Sequence, residues 1–174
     1  GVLAAAGDLS AVSRGPGRFA GVRVGVTCAK TWSYAGGCPL VGVNTLRAIV
    51  EAVPSEINEV DVIADAQRGD VYVSRFRRGG SGEWEQLEDT CIVSLEDLMQ
   101  NLSAGRSISG PALEVYAAQL SGRAPLLDKD AWFPRAEHVA RLGRVQAASG
   151  QTDDPWSLEQ LYLRRSAAEE KASE

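Results

Sequence analysis

A glycine-rich segment, residues 14–21, is the first part of the sequence whose residue types could bind a ligand. It stands between a predicted strand and a predicted helix, where many proteins hold phosphate on free backbone N–H groups. The segment lacks the lysine and hydroxyl of a G-x-x-x-x-G-K-[ST] loop. Its glycines miss the G-x-G-x-x-G spacing by one residue, and no acidic residue follows about 20 positions later to bind a ribose. We therefore interpret Gly15, Pro16 and Gly17 as a structural turn.

Few other side chains have a pattern that predicts catalysis or metal binding. His138 is the single histidine, and the three cysteines form no C-x-x-C pair, so we predict neither a metal site nor a cofactor. No G-x-S-x-G elbow supports a Ser-His-Asp triad. Asp65 has no evident partner carboxylate, which favours a structural role in a turn. We expect Cys28, Cys38 and Cys91 to be buried, reduced thiols.

Two glycines four positions apart, Gly21 and Gly25, lie on one face of a predicted helix. Cys28 and Ala29 continue this stripe of small residues. Each glycine costs a helix about 1 kcal/mol relative to alanine, so two of them indicate close approach of another backbone. That backbone could belong to this chain's own sheet or to a second protein, and both interpretations remain open.

The charge is distributed unevenly. The net charge is -5 and the pI is about 5.0, whereas proteins that bind nucleic acids through their phosphates are usually basic. Residues 1–50 nevertheless hold five basic residues against Asp8 alone. This excess of positive charge has two interpretations: the basic residues lie on ordinary solvated faces, or the first third of the chain faces an acidic partner or a phosphate.

The composition bounds the kind of protein. The chain has 174 residues, 44% of them hydrophobic, which suits one soluble domain or two small lobes. No stretch approaches the roughly 20 apolar residues of a membrane span, and no leader is visible, so we predict a cytoplasmic protein. The sequence begins with Gly1 inside what resembles a helix end, and we expect a truncated N terminus.

The order of predicted elements indicates α/β layering. Strands are predicted over residues 9–13, 40–43, 60–64, 71–77, 84–87, 108–109 and 158–163. Helices are predicted over residues 20–34, 45–53, 95–102 and 112–120, and from residue 134 with Val139, Leu142 and Val145 on one face.

Local signals fix several ends of these elements. Asn44 is a predicted N-cap, and Pro54 closes the helix that it starts. Ser94 and Asp97 resemble a capping box, with Asp in place of the usual Glu. Residues 67–70 predict the turn of a hairpin.

Three motifs in order resemble those of the TsaB (YeaZ-like) proteins. Residues 15–25 read G-P-G-R-F-A-G-V-R-V-G, close to that family's G-P-G-S-F-T-G-L-R-I-G, and residues 29–30, 34–35 and 39–43 continue the register. Residues 65–72, D-A-Q-R-G-D-V-Y, are similar to D-A-R-R-G-E-V-Y, and residues 158–164, L-E-Q-L-Y-L-R, to L-E-P-L-Y-L-R. Arg18 and Ala20 replace Ser and Thr, which removes two hydroxyls from the turn.

The resemblance implies an actin-like, ribonuclease H-like (ASKHA) fold of two lobes. Residues 1–54 would be the remainder of the N-terminal lobe, residues 55–164 the C-terminal lobe, and residues 165–174 a frayed tail. The first lobe would be incomplete, because the family's opening strand would precede Gly1.

For function, the resemblance implies a non-catalytic scaffold that pairs with the metal-dependent subunit TsaD and the small ATPase TsaE. Together they add threonylcarbamoyl to the tRNA adenosine next to the anticodon, and this chain would meet tRNA only indirectly. TsaD shares part of the first motif but has a metal-binding histidine pair, which a chain with one histidine cannot supply. The same helix could also form a homodimer. The implied partner interface comprises Phe19, Gly21, Val22, Arg23, Gly25, Val26, Ala29 and Lys30.

Two alternatives remain. The first is a small phosphotransferase or nucleotide-binding enzyme of the same superfamily that uses the glycine turn. It needs a catalytic carboxylate and a complete phosphate-binding lobe. The second is a direct tRNA binder, which the acidic total disfavours.

Overall fold

The computed structural model describes residues 7–17, 19–103, 105–161 and 163, with the backbone alone of Phe19. The strands are β1 (Ser10–Ser13), β2 (Leu40–Val43), β3 (Glu59–Gln67), β4 (Asp70–Arg78), β5 (Trp84–Gln86), β6 (Cys91–Ser94) and β7 (Ser107–Ser109). The helices are α1 (Phe19–Gly36), α2 (Thr45–Val50), α3 (Leu95–Gln100), α4 (Leu113–Leu120) and α5 (Ala136–Ala148), with a 3-10 helix at Lys129–Ala131.

A small parallel sheet lies between two helices. β1 pairs with β2, from Ser10 opposite Leu40 to Ser13 opposite Val43, and α1 makes the crossover between them. Because side chains alternate along a strand, Val12 and Leu40 face α1, while Ala11, Val41 and Val43 face α5. The predicted strand–helix–strand order is therefore confirmed.

The second sheet has five strands in the order β5-β4-β3-β7, and β6 pairs with the other end of β4. The predicted hairpin between β3 and β4 is confirmed. Gln67 and Arg68 have φ values of 65° and 57° at its turn, and Gly69 has 85°. β6 was not predicted, because a short edge strand with two central apolar residues gives little signal.

Helix α2 joins the two sheets. Its Leu46 and Ile49 lie in a core with strands β3 and β4, and its Ala48 lies in the core beneath α5. Glu51, just after α2, forms ion pairs with Arg47 of α2 and Arg141 of α5. The other face of the large sheet is covered by α3 and α4.

The predicted caps are present. Asn44 Oδ1 accepts hydrogen bonds from the N–H groups of Leu46 at 2.8 Å and Arg47 at 3.3 Å. Ser94 Oγ accepts from Asp97 N at 3.0 Å. Helix α2 ends at Val50, three residues earlier than predicted, because the chain tightens into turns in which Ala52 N donates to Ile49 O and Val53 N donates to Val50 O. Helix α3 ends at Gln100, two residues early.

Three predictions are wrong. Residues 158–161 form no strand: Leu158 instead inserts its side chain beneath α1, and Leu161 N donates to Arg14 O. Tyr162 and residues 164–174, including the predicted tail, lie outside the described residues. Helix α5 begins at Ala136, two residues after its predicted start, and of the three apolar residues predicted on one face Val139 and Leu142 are buried, while Val145 is exposed in a groove beside Leu9.

The third wrong prediction concerns the cysteines. Cys28 and Cys91 are exposed and Cys38 is partly buried, and all three are free thiols. Cys28 projects from the outer side of α1, and Cys91 begins an edge strand, so neither packs in a core.

The lobe boundaries stay a prediction. Helix α5 belongs to the segment assigned to the C-terminal lobe, yet it packs on β1 and β2 of the first segment. No helix among the described residues combines the length and apolar composition needed to cross a bilayer.

Candidate partner-binding surface

The structure distributes the predicted interface residues over two sides of α1. Val26 is fully buried in a core with Leu40 and Leu158, and Val22 and Ala29 pack against that core. These side chains hold α1 on its own sheet, so in this structure they leave little surface for a partner.

The glycine stripe is divided in the same way. An added Cβ at Gly25 would lie 3.8 Å from Val12 Cγ2 of β1, so Gly25 faces this chain's own sheet. At Gly21 an added Cβ would meet nothing within 4 Å. Gly21 and Arg23 are exposed, and Lys30 Nζ donates to Leu158 O at 3.1 Å. The side chain of Phe19 lies outside the described residues.

The outer side of α1 is apolar to a degree that is unusual for a solvent-facing helix. We define the α1 outer face by its residues at helical spacing: Ala20, Val24, Thr27, Cys28, Thr31 and Ala35. All six are exposed, and Val24 leaves 62% of its surface in solvent. The whole helix contains two charged residues, Arg23 and Lys30, both basic.

The two threonines make this face less polar than their hydroxyls suggest. Thr27 Oγ1 donates to Arg23 O at 2.8 Å, and Thr31 Oγ1 donates to Thr27 O at 2.9 Å. Because both hydroxyl groups donate to backbone carbonyls of the same helix, the two threonines add methyl groups to this face and no unpaired hydroxyl donor.

An aromatic pair borders the end of α1. The rings of Tyr34 and Trp156 meet edge to face with their centroids 5.0 Å apart, and 66% and 75% of their surfaces are exposed. Asp154 supports the turn that carries Trp156: hydrogen bonds from Ser157 and from the Trp156 backbone N–H lower the pKa of that carboxyl. Exposed Tyr and Trp rings are the side chains that most often dominate binding at interfaces.

The sequence analysis missed Val24, Thr31, Tyr34 and Trp156. Val24, Thr31 and Tyr34 recur at i, i+7 and i+10, a helical spacing that could have identified a second apolar face on α1, whereas Trp156 lies after α5 and no local pattern links it to α1.

The glycine turn is tied to α2 rather than open to a ligand. Gly15 N donates to Thr45 Oγ1 at 3.1 Å, and Thr45 N donates to Gly15 O at 2.8 Å. Ser13 Oγ and Thr45 Oγ1 share a hydrogen bond of 2.8 Å. The peptide bond between Gly15 and Pro16 is cis. The Gly15 amide is therefore already paired with Thr45, and the structural role of Gly15, Pro16 and Gly17 stays a prediction.

Asp65 and His138, for which the sequence predicted no catalytic role, have local contacts in the structure. Asp65 Oδ1 accepts from Gln67 N at 2.8 Å and from the Tyr116 hydroxyl at 3.4 Å, so it supports the hairpin turn. Burial, followed by the Asp65 charge, raises the pKa of Tyr116. His138 lies mostly buried in the first turn of α5, with Nε2 3.7 Å from Glu137 Oε1. Among the described residues, no three His, Cys, Asp or Glu side chains lie together where they could hold a metal ion.

Known proteins share both sequence and fold with this chain. Residues 4–150 match the family model described as TsaD: tRNA N6-adenosine threonylcarbamoyltransferase. The tRNA threonylcarbamoyladenosine biosynthesis protein TsaB of Escherichia coli strain K12 is 29% identical over 173 residues, which covers 94% of this chain and 74% of that protein. TsaB of Haemophilus influenzae is 27% identical over 169 residues, covering 90% of this chain and 70% of that protein.

Two solved structures of proteins from Pseudomonas aeruginosa have the same fold. One, of an uncharacterized protein with similarity to peptidase YEAZ, matches with a TM-score of 0.79 at 24% identity, covering 94% of this chain and 76% of that chain. The other, of YeaZ, has a TM-score of 0.78 at 23% identity, covering 93% and 77%. The mixed α/β architecture is therefore of the actin-like, ASKHA type. Within that class, the chain belongs to the TsaB/YeaZ family, with which the TsaD model shares its domain.

Proposed function

We propose that this protein takes part in tRNA threonylcarbamoyladenosine biosynthesis as a non-catalytic subunit that binds a TsaD-like, metal-dependent protein. The names of the related TsaB proteins support the pathway. The α1 outer face is the observation that supports a partner, because an exposed apolar helix face without acidic residues is stabilised when a second surface covers it.

The chemistry of the surface favours a particular kind of partner. The match to the TsaD model supports a partner built on the same domain, which could present an equivalent helix. Two such faces would pack as a helix pair, with small side chains allowing a close approach. Arg23 and Lys30 flank the face, so we expect acidic residues at the rim of the partner.

The residues of the glycine turn support a scaffold over a phosphotransferase. A nucleotide phosphate at this turn would need free backbone N–H groups, and the N–H of Gly15 already donates a hydrogen bond to Thr45 Oγ1. In our proposal the catalytic metal belongs to the TsaD-like subunit. A TsaE-like ATPase would join the complex, tRNA would be contacted only indirectly, and the protein would act in the cytoplasm.

The proposal is tested by reconstitution with the TsaD-like and TsaE-like proteins of the same source. Size-exclusion chromatography with light scattering should show a complex of this chain with the TsaD-like subunit. Threonylcarbamoyl transfer to tRNA should require this chain, and substituting the metal ligands of the TsaD-like subunit should abolish transfer while the complex persists.

Other outcomes would overturn the proposal. No complex with the TsaD-like subunit, together with full transfer in the absence of this chain, would contradict a partner role. A stable homodimer that excludes the TsaD-like subunit would assign the α1 outer face to a second copy. Tight ATP binding by this chain alone, measured by calorimetry, would favour the phosphotransferase alternative.

A further inference from the structure

A polar cavity lies away from the α1 outer face, between the edge of β2 and the end of α5. Its volume is about 230 Å³. The cavity is lined by Arg14, Gly42, Gln146, Gln151, Thr152 and Asp153. One cation, one anion, two amides and one hydroxyl thus surround a space large enough for a small organic molecule.

One nitrogen of the Arg14 guanidinium, the buried Nε, has no hydrogen-bond partner among the described residues. An unmet buried donor of this kind is unfavourable, and the penalty is larger for a charged group. Arg14 thus has an incompletely paired guanidinium and also belongs to the lining of the cavity.

Asp153 presents the opposite charge to the same cavity. Its Oδ2 accepts a hydrogen bond from Gly42 N at 2.7 Å, which fixes the carboxylate against β2. Arg14 and Asp153 both line the cavity, but within the described part of the chain they form no ion pair with each other at 4.0 Å or less.

Gly42 allows the two charged side chains to approach this point. A Cβ at residue 42 would lie 2.9 Å from Arg14 Cδ and 3.5 Å from Asp153 Oδ2. Both side chains thus pass close to one backbone position without pairing there. The cavity lining therefore includes one cationic residue and one anionic residue, of which Asp153 is held in place by its hydrogen bond from Gly42 N.

We propose that this cavity binds a small zwitterion of the α-amino acid class. The ligand carboxylate would accept hydrogen bonds from the Arg14 guanidinium, whose fork of donors matches a carboxylate. The ligand ammonium would donate to Asp153, and its side chain would meet Gln146, Gln151 and Thr152. An inorganic phosphate would place its negative charge beside Asp153, so the charge balance favours the zwitterion.

The proposal is tested with the full chain alone, by following backbone amide signals in two-dimensional NMR. L-serine is the zwitterionic probe. Acetate supplies the carboxylate alone, ethanolamine the ammonium alone, and inorganic phosphate tests a simple anion site. L-serine should shift the amide signals of Gly42 and Thr152 saturably, whereas acetate and ethanolamine should bind at least about tenfold more weakly.

Two variants remove the two charges separately. Arg14→Gln and Asp153→Asn should each weaken L-serine binding by at least about tenfold, with the dispersion of the amide spectrum confirming that each variant is folded. Asn at residue 153 keeps an acceptor for Gly42 N. Arg144→Gln is the control, because Arg144 is exposed on α5 and does not line this cavity, and it should bind L-serine like the wild type.

The proposal would be overturned if L-serine produced no saturable shift of the Gly42 or Thr152 amide signals, or if Arg14→Gln bound L-serine with the affinity of the wild type. Phosphate binding that strengthens in Asp153→Asn would identify an anion site instead. No TsaD-like protein is present in this sample, so the absence of L-serine binding would leave the proposed partner role intact. Equally, the absence of a complex with the TsaD-like subunit would leave the proposed binding of L-serine intact.

Discussion

Gly143 of α5 and Ala11 of β1 approach each other so closely that a Cβ at residue 143 would lie 2.6 Å from Ala11 Cβ. This contact is the point at which α5 rests on the small sheet. Ala11 Cβ is attached directly to a strand backbone and cannot rotate away, so the helix itself must move if residue 143 gains a side chain.

We expect Gly143→Ala to destabilise the protein by about 1–3 kcal/mol, because overpacking outweighs the gain in helix propensity. Gly21→Ala is the matched control: it makes the same change within a helix, but at a site with open space. It should stabilise the protein by roughly 0.5–1 kcal/mol. Urea unfolding followed by circular dichroism measures both, and equal effects would contradict the packing described for α5.

Asp61 lies between two arginines in the large sheet, and its charge is costly there. Its side chain is 2% exposed, with Oδ1 3.4 Å from Arg106 Nη1 and 3.9 Å from Arg75 Nε. Burial raises the pKa of Asp61 to about 6, against the opposing effect of Arg106 and Arg75. The native state therefore holds this proton more tightly than the unfolded state, whose Asp61 pKa is near 3.8.

A raised pKa predicts a specific dependence of stability on pH. The stabilising contribution of protonated Asp61 is complete below about pH 4 and is lost as the pH rises through about 6. Relative to Asp61→Asn, which cannot titrate, the free energy of unfolding of the wild type should fall by on the order of 2–3 kcal/mol across this range. Urea unfolding of both proteins at several pH values measures the difference, and parallel curves would rule out the shift.

Arg106→Gln tests the cause of that pKa. Arg106 opposes the effect of burial, so its loss should raise the pKa of Asp61 further, as followed by NMR of the carboxyl carbon. Arg77, whose Nε lies 2.9 Å from Glu59 Oε1, and Arg106 both lower the pKa of Glu59, so that pKa should rise in the variant as well, while Arg77 continues to lower it. A lower Asp61 pKa in this variant would contradict the assigned geometry.

The aromatic pair beside α1 should contribute to partner binding and little to folding. Tyr34→Ala and Trp156→Ala remove largely exposed rings that contact each other, so each should change the free energy of unfolding of the free chain by less than about 1 kcal/mol. Each should weaken binding of the TsaD-like subunit by about 1–2 kcal/mol or more. Phe133→Ala, at an exposed aromatic residue before α5, is the control, and an equal loss in that variant would count against a role for the pair.

The fold was largely predictable where local chemistry sets it. Asn44 and Ser94 carry their own capping signals, and the turn after Asp65 carries a glycine in a short polar segment between apolar runs. Leu158 could not be placed in the same way, because an apolar residue at the end of the chain is equally compatible with a strand and with a side chain inserted beneath a helix. The partner of such a residue depends on tertiary packing, which the local sequence does not encode.

The sequence predicted α1 as a helix, but it did not predict which side of the helix is exposed. Apolar or small residues surround almost the whole helix, so periodicity alone does not distinguish the side with Val26 from the side with Val24. The contacts of Val26 with Leu40 and Leu158 determine which side is turned inward. The predicted interface therefore combined residues of both sides, and the structure directs attention to the outer one.

The most direct test of the account is the affinity of this chain for the TsaD-like subunit, measured by calorimetry for the wild type, Val24→Glu and Val115→Glu. Val24 and Val115 have similar exposures, 62% and 59%, but Val24 lies on the α1 outer face and Val115 on α4. We predict that Val24→Glu weakens binding by at least about 100-fold, since it buries an unpaired charge at the centre of the interface, while Val115→Glu binds like the wild type. Equal affinities for the wild type and a folded Val24→Glu variant would contradict the proposed interface.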